Sequence, residues 1–451
     1  MSKHPDISTS FKAIFALLWP QVLMMYVICV MNVAPIWAAG KMSADVSAAL
    51  GVSMQMLFLL GVINIALNSG ATAVISQSIG AKKLDRAKFY VFITLLLNAL
   101  FGVGVGVLAY IFSGQIFALL GLKGAALDIA NELWAVLLFS LPCSFLFNSA
   151  MVVFRSFREV ILPLIITIIV CAFYLFFIFK LSFSHFFMGR EYMGLAYSNL
   201  IAQGLAALLG TFALIAKKHI SASFLPFAWL RIAMPKLLKT ALHSGATSIV
   251  WQAGYITLYA IVGFLPLHSN EALGGLASGH RVESFIFMVG VAFHMSASVV
   301  VGNCLGAKRV AEARRIAAIL VFSGAAVMSV VAGILWWFMS DLAAFMSDDG
   351  LVQFYIVEYL KYNFLSTPFS IISTIFAGVM IGASAAHFNL LIFGLSFWVI
   401  RIPLAYALGH FVWGEATGVF VAMLISQAIQ TALMLYVFYK LDWTKYALKK
   451  S

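Results

Sequence analysis

The chain predicts an all-α polytopic membrane protein with twelve transmembrane helices in two pseudo-symmetric six-helix bundles. Three observations predict it. Of 451 residues, 63% are hydrophobic and 10% charged, against about 25% charged in soluble domains. Apolar runs recur along the whole length, each of the roughly 20 residues needed to cross a hydrocarbon core of about 30 Å. Residues 70–87 (GATAVISQSIGAKKLDRA) and 296–313 (SASVVVGNCLGAKRVAEA) are two copies of one pattern, 226 positions apart, half the chain length. An internal duplication in a membrane protein builds two related bundles.

The apolar runs fall at 13–39, 48–76, 89–112, 127–153, 160–182, 192–215, 239–265, 272–302, 315–339, 352–383, 388–410 and 416–438. They divide the chain into an N-terminal bundle (1–216), a basic linker (217–238, KKHISASFLPFAWLRIAMPKLL) and a C-terminal bundle (239–451). The linker's Lys, Arg, Pro and aromatics suit a connection lying on anionic headgroups. The first run is too long for a cleavable signal peptide, and no small-residue cleavage site follows it. Cys29, Cys143, Cys171 and Cys304 are widely spaced in apolar runs. They read as packing residues; no metal or redox spacing exists.

The net charge of +12 is not a nucleic-acid footprint. With the N-terminus inside, most of the 28 Lys and Arg fall on the inner side. These are Lys3, Lys12, the Lys82–Lys88 and Lys308–Arg315 clusters, Arg155, Arg158, Lys217, Lys218, Arg231, Lys236, Lys239 and the C-terminal lysines. Only Lys41, Lys123, Lys180 and Arg190 fall outside. That asymmetry places both termini in the cytoplasm. Only the inner turn near residue 386 lacks Lys and Arg.

Arg281, Lys361, Arg401 and Glu283 lie inside predicted spans. Intramembrane ionisable groups are costly and face a cavity or a partner. Pro20, Pro142, Pro163, Pro368 and Pro403 also fall within spans, where each removes a backbone donor and kinks its helix. The run FGVGVGV (101–107) permits close helix contact through Gly102, Gly104 and Gly106 and is not a phosphate loop, since no Walker Lys follows. No HExxH, nucleophile elbow or ATPase module is present. The chain therefore reads as a transporter driven by an ion gradient, not an enzyme, with no cofactor.

The stretches GHRVESFIFMVGVAFHMSASVVVGNCLGA (279–307) and WVIRIPLAYALG (398–409), with the paired Gly-Ala-Lys turns, resemble multidrug and toxic compound extrusion (MATE) transporters across the whole chain. The resemblance is to the branch containing the DNA-damage-inducible F proteins. It implies a V-shaped pair of bundles around a central cavity, in a bacterial inner membrane. It also implies export of organic cations as a monomer, in exchange for H+ or Na+. The departures matter. Where most bacterial members carry an acidic residue in segment 1, VAPIWAAG (33–40) has Pro35. Segment 5 (160–179) lacks the branch's Asn and Asp. Another branch's Glu in segment 7 and Asp in segment 10 align with Tyr255 and Ser370.

One deep carboxylate remains. Glu283 lies about 11 residues into segment 8, about 16 Å at 1.5 Å per residue, close to mid-depth. It is the candidate ion-coupling group, with His280 and His294 on roughly its own helix face. Arg281 points about 200° away. Arg401 lies at similar depth in segment 11, and a Glu283–Arg401 pair is open. The alternative for Glu283 is a structural ion pair with Arg281 or Arg401. Glu358 and Lys361 are spaced to satisfy each other. Gln252, Tyr255, His294 and Asn32 are candidate substrate contacts, with interhelical hydrogen bonds as the alternative. Two activities follow: a secondary active exporter of amphipathic, cationic compounds, or a flippase for lipid-linked oligosaccharide precursors, which Arg281 and Arg401 keep open.

Overall fold

A computed structural model describes residues 11–119, 124–183, 187, 190–220 and 227–447. Lys3, Lys123, Lys449 and Lys450, counted above for orientation, lie outside them. The described elements are helical throughout. They are α1 (Phe11–Gly40), α2 (Ala44–Gly80), α3 (Leu84–Ile111), α4 (Ser113–Leu119), α5 (Ala125–Ser156), α6 (Ile161–Ser182), α7 (Met193–Ala216) and α8 (Phe227–Gly263). There follow α9 (Ser269–Gly306), α10 (Val310–Trp336), α11 (Met339–Met346), α12 (Gly350–Gly382), α13 (His387–Gly394), α14 (Ile402–Tyr406) and α15 (Ala416–Lys440). Eleven spans are long and apolar enough to cross a membrane, the segment 387–412 counting as one. The long helix α8 covers the remaining predicted run. All twelve predicted segments are therefore helices, in a twelve-helix membrane fold.

The duplication is written in the backbone. Lys82 and Lys308 adopt left-handed φ values of 58° and 63° at the two Gly-Ala-Lys turns. Arg158 and Ser384, also 226 apart, adopt 62° and 59°. A left-handed non-glycine residue costs about 1–2 kcal/mol. It lets the following amide reach back and close the helix end. Lys83 and Arg309 donate to the carbonyls of Ser78 (3.0 Å) and Cys304 (2.9 Å), and Glu159 and Ala385 do the same at the second pair. Four helix ends thus stop by one device at matched positions, although Ser384 replaces a basic residue in the last.

The chain forms two compact units, one of Ile14–Ala241 and one built on Leu242–Ser451. Part of the expected linker at 217–238 is helical. From Phe227 onward that stretch is the start of α8, while 221–226 lie outside the described residues. The physical reason is helical spacing that the basic composition hides: Ala233, Leu237 and Ala241, four apart, are all buried. They pack on α2 at Gly70, where an added Cβ would lie 2.4 Å from the Leu237 carbonyl oxygen. The division by packing therefore falls inside α8.

In the N-terminal unit the centre is a neutral polar knot. Asn64 donates to Asn98 (2.8 Å), Asn68 to Asn64 (3.2 Å) and Ser149 to Asn68 (3.0 Å), all buried. These links tie α2, α3 and α5, since buried amides in a bilayer must find partners inside the protein. Gly102 lets α3 approach α5 at Pro142, 2.8 Å from where its Cβ would stand, whereas Gly104 faces open space. Only part of the glycine run is therefore a helix contact.

Substituting Gly70→Ala is expected to lower stability by about 1–3 kcal/mol, because the backbone of α8 cannot yield to a methyl group. Gly104→Ala, in open space, is expected to stay within about 0.5 kcal/mol. Thermal unfolding of the purified protein in detergent checks both.

Candidate functional site

The charged centre lies in the C-terminal unit, within α8, α9, α12, the 387–412 segment and α15. Two glycines seat its rings. An added Cβ at Gly279 on α9 would stand 2.3 Å from the Tyr359 ring, and one at Gly254 on α8 would stand 2.4 Å from the Phe397 ring. The first notch admits Tyr359, whose hydroxyl donates to Oε2 of Glu283. The same oxygen lies 3.1 Å from Nδ1 of His280, one helical turn earlier. The Asn363 side chain lines the same recess as Glu283. Two donors from two helices therefore converge on one carboxylate oxygen.

The second notch serves Arg401. Phe397 lies under its guanidinium, with the ring centroid 4.2 Å away. Arg401 donates from Nε to Ser426 Oγ and from Nη2 to Gln427 Oε1, both at 2.7 Å. It is 4% exposed, so its charge is held inside the unit. The backbone that aims it is unusual: residues Leu395–Arg401 and Ala407–Val412 are π-helical on either side of α14, which contains Pro403. Proline has no amide to donate to the preceding turn. The wider π turns absorb that defect and recur at functional positions.

Tyr255 packs between the partners of the two charges. It is buried, with its ring 5.0 Å from His280 and 5.4 Å from Phe397. Among the described residues there is no direct Glu283–Arg401 ion pair. Each charge is satisfied by its own neutral or imidazole partners, and the Tyr255 ring packs between His280 and Phe397, which adjoin them. The structural ion-pair alternative for Glu283 therefore has no Arg in contact range. The reason is helix placement, which spacing along one helix cannot fix.

The other expected residues are distributed. Arg281 is exposed on the far side of α9, near Tyr259, and makes no ion pair among the described residues. His294 lies farther along α9 and bonds the Thr374 carbonyl at 2.8 Å, away from the cluster. Gln252 is half-buried on α8, and Asn32 is exposed on α1 in the other unit. Lys361 and Glu358 pair at 3.4 Å. Sequence reasoning missed Tyr359, Asn363, Phe397, Ser426 and Gln427. The adjacent Ser426 and Gln427, polar within an apolar run, were the available signal for the last two. A small recess, with about 10 Å³ of room for a water-sized sphere, is lined by Glu283, Asn363, Thr367, Ser370 and apolar neighbours. It offers a carboxylate and three neutral oxygen-bearing side chains to a small cation or water.

The duplication makes the asymmetry concrete. At the positions 226 earlier, His280, Glu283, Tyr359, Asn363 and Arg401 correspond to Met54, Leu57, Leu133, Leu137 and Leu175. The asparagines of the N-terminal knot, Asn64, Asn68 and Asn98, correspond to Gly290, His294 and Gly324. One frame thus carries a charged centre in one copy and a neutral knot in the other.

A twelve-helix membrane fold in two related halves is an architecture of membrane transporters. The MatE family model matches residues 20–179 and 244–407, and the chain belongs to that family of multidrug and toxin extrusion transporters. It is similar to the probable multidrug resistance protein YoeA of Bacillus subtilis, at 21% identity over 90% of this chain and 89% of that one. It is also similar to Protein DETOXIFICATION 39 of Arabidopsis thaliana, at 22% identity over 96% and 85%. The Vibrio cholerae MATE transporter VcmN in its bent form shares the fold, with a TM-score of 0.87 and 19% identity over 97% and 98% of the two chains. An outward-facing MATE transporter matches with a TM-score of 0.90 at 16% identity, over 100% of both chains.

A double-mutant cycle on thermal stability between Tyr359→Phe and Glu283→Gln is expected to give a coupling of about 1.5–3 kcal/mol, the range for a hydrogen bond to a charged group. The same cycle between Tyr359→Phe and Arg401→Gln is expected to give less.

Proposed function

We propose that the protein is a secondary active exporter that moves amphipathic, cationic organic compounds out of the cytoplasm and couples through Glu283. The supporting observation is the convergence of Tyr359 and His280 on one oxygen of a mid-span carboxylate. An ionised carboxylate accepts both donors. A protonated one carries a donor of its own, and both contacts weaken because they are no longer charge-assisted. Proton binding thereby acts on the packing of α9 against α12. An ion shifts a two-state protein only by its difference in affinity between the states, and this arrangement supplies one. The orientation proposed is with both termini cytoplasmic, from the Lys and Arg asymmetry, and the working unit is the monomer.

Sodium is the second candidate ion, favoured by the oxygen-bearing side chains of Asn363, Thr367 and Ser370 beside Glu283. A substrate of opposite polarity, such as a lipid-linked precursor, is favoured by the exposed Arg281. A transporter from Pyrococcus furiosus that shares the fold, with a TM-score of 0.88 at 16% identity, has a binding pocket of reverse polarity that suggests a different function for that protein.

In liposomes of purified protein, a pH jump is expected to drive movement of a fluorescent organic cation. Glu283→Gln is expected to lower that rate at least tenfold, about 1.4 kcal/mol of barrier. Unchanged transport in the variant would remove Glu283 from the mechanism. Transport driven by a sodium gradient at fixed pH would assign the coupling to sodium, and movement of an anionic lipid probe in place of the cation would select the flippase reading.

A further inference from the structure

Two helix ends that stop by the same left-handed device stand side by side in the N-terminal unit. Arg158 closes α5 with φ 62° and Lys218 closes α7 with φ 57°. The next residues, Glu159 and His219, donate their amides to the carbonyls of Phe154 (2.9 Å) and Leu214 (3.0 Å). Nε2 of His219 then lies 3.3 Å from Oε1 of Glu159, and Nζ of Lys217 lies 3.6 Å from Oε2. The imidazole stacks on Phe157, with centroids 3.9 Å and planes 18° apart, and meets the edge of Phe154. The His219 side chain is 12% exposed. The joint between α5 and α7 is thus one imidazole, held by two phenyl rings and a carboxylate.

One carboxylate serves this joint, and Lys217 already shares it. A protonated ring would add a second positive charge in a place that excludes most water. Lys88 on α3 adds a weaker positive charge of its own. Burial accordingly holds the His219 imidazole below its usual range, against the pull of Glu159. The matched joint in the C-terminal unit is closed by an indole instead. Glu159, Lys217 and His219 correspond there to Ala385, Trp443 and Lys445, and Lys88 corresponds to Arg314. Trp443 is fully buried and stacks on Phe438 at 5.5 Å, with the Arg314 guanidinium 5.4 Å from its ring. An indole and a guanidinium keep one charge state near neutral pH, whereas an imidazole does not.

We propose that His219 is a pH-operated latch between α5 and α7: neutral and stacked it holds the two helix ends together, and protonation releases the ring from Phe157 and loosens the end of α7. The stabilisation is present above the unfolded imidazole value of about 6.5 and is lost as the pH falls through the lower folded value. The latch rests on contacts inside the N-terminal unit and does not depend on coupling at Glu283. It acts where the chain leaves α7 for α8, which begins at Phe227.

The test is a pH titration of the full chain in detergent, with isotope-labelled histidine read by NMR. The His219 ring signals, identified by their loss in His219→Phe, are expected to carry the ring-current shift of the Phe157 stack above about pH 7. They are expected to lose it on protonation, with a midpoint below about 6.5. Lys217→Gln is expected to raise that midpoint and Glu159→Gln to lower it. Thermal unfolding gives the second readout. The wild type is expected to lose melting temperature between about pH 7.5 and about pH 5.5, and His219→Phe, which keeps a ring on Phe157, to lose less. A ring-current shift that persists through protonation would overturn the proposal. So would an equal pH dependence of melting temperature in the wild type and His219→Phe.

Discussion

Oε2 of Glu283 is the point on which the C-terminal unit turns. A carboxylate inside a span must find its donors in the protein, because the bilayer offers none. The donors here come from its own helix, through His280, and from α12, through Tyr359. Tyr359 reaches it only because Gly279 leaves a notch for the ring. The register of α9 on α12 and the satisfaction of the charge are therefore one condition. Arg401 obeys the same logic independently, with Phe397 seated at Gly254 and acceptors from α15.

The N-terminal unit meets the same demand without charge. Its asparagines satisfy one another across α2, α3 and α5. The matched positions in the other unit, Gly290 and Gly324, are close-packed against Ile371, Ile375 and Phe293. Duplication has preserved the helices and their turns, while the interiors have diverged to different solutions of the same solvation problem. A protonation event at Glu283 therefore has no counterpart at Leu57.

Much of this was legible in the chain. Hydropathy gave all twelve segments, because a span must be apolar to lie in hydrocarbon. The left-handed pair Arg158 and Ser384, separated by the same 226 residues, became visible only in the backbone. Depth arithmetic singled out Glu283 and Arg401. The start of α8 was misread because its Lys, Arg and Pro hid a buried stripe of Ala233, Leu237 and Ala241. Asn32 and His294, candidate substrate contacts by polarity, stand apart from the charged centre, Asn32 on α1 and His294 against a carbonyl farther along α9.

The sequence by itself determined the class of protein, the repeat, and which residues carry charge at mid-span, since these depend on local composition and on spacing along one helix. The tertiary structure alone decided that Glu283 and Arg401 are not paired directly, and that Tyr359, Tyr255 and Gln427 complete their surroundings. Tyr359 and Gln427 lie 76 and 26 residues along the chain from the charges they satisfy. Only the packing of separate helices, set by the glycine notches and the π turns around Pro403, brings them within hydrogen-bond reach.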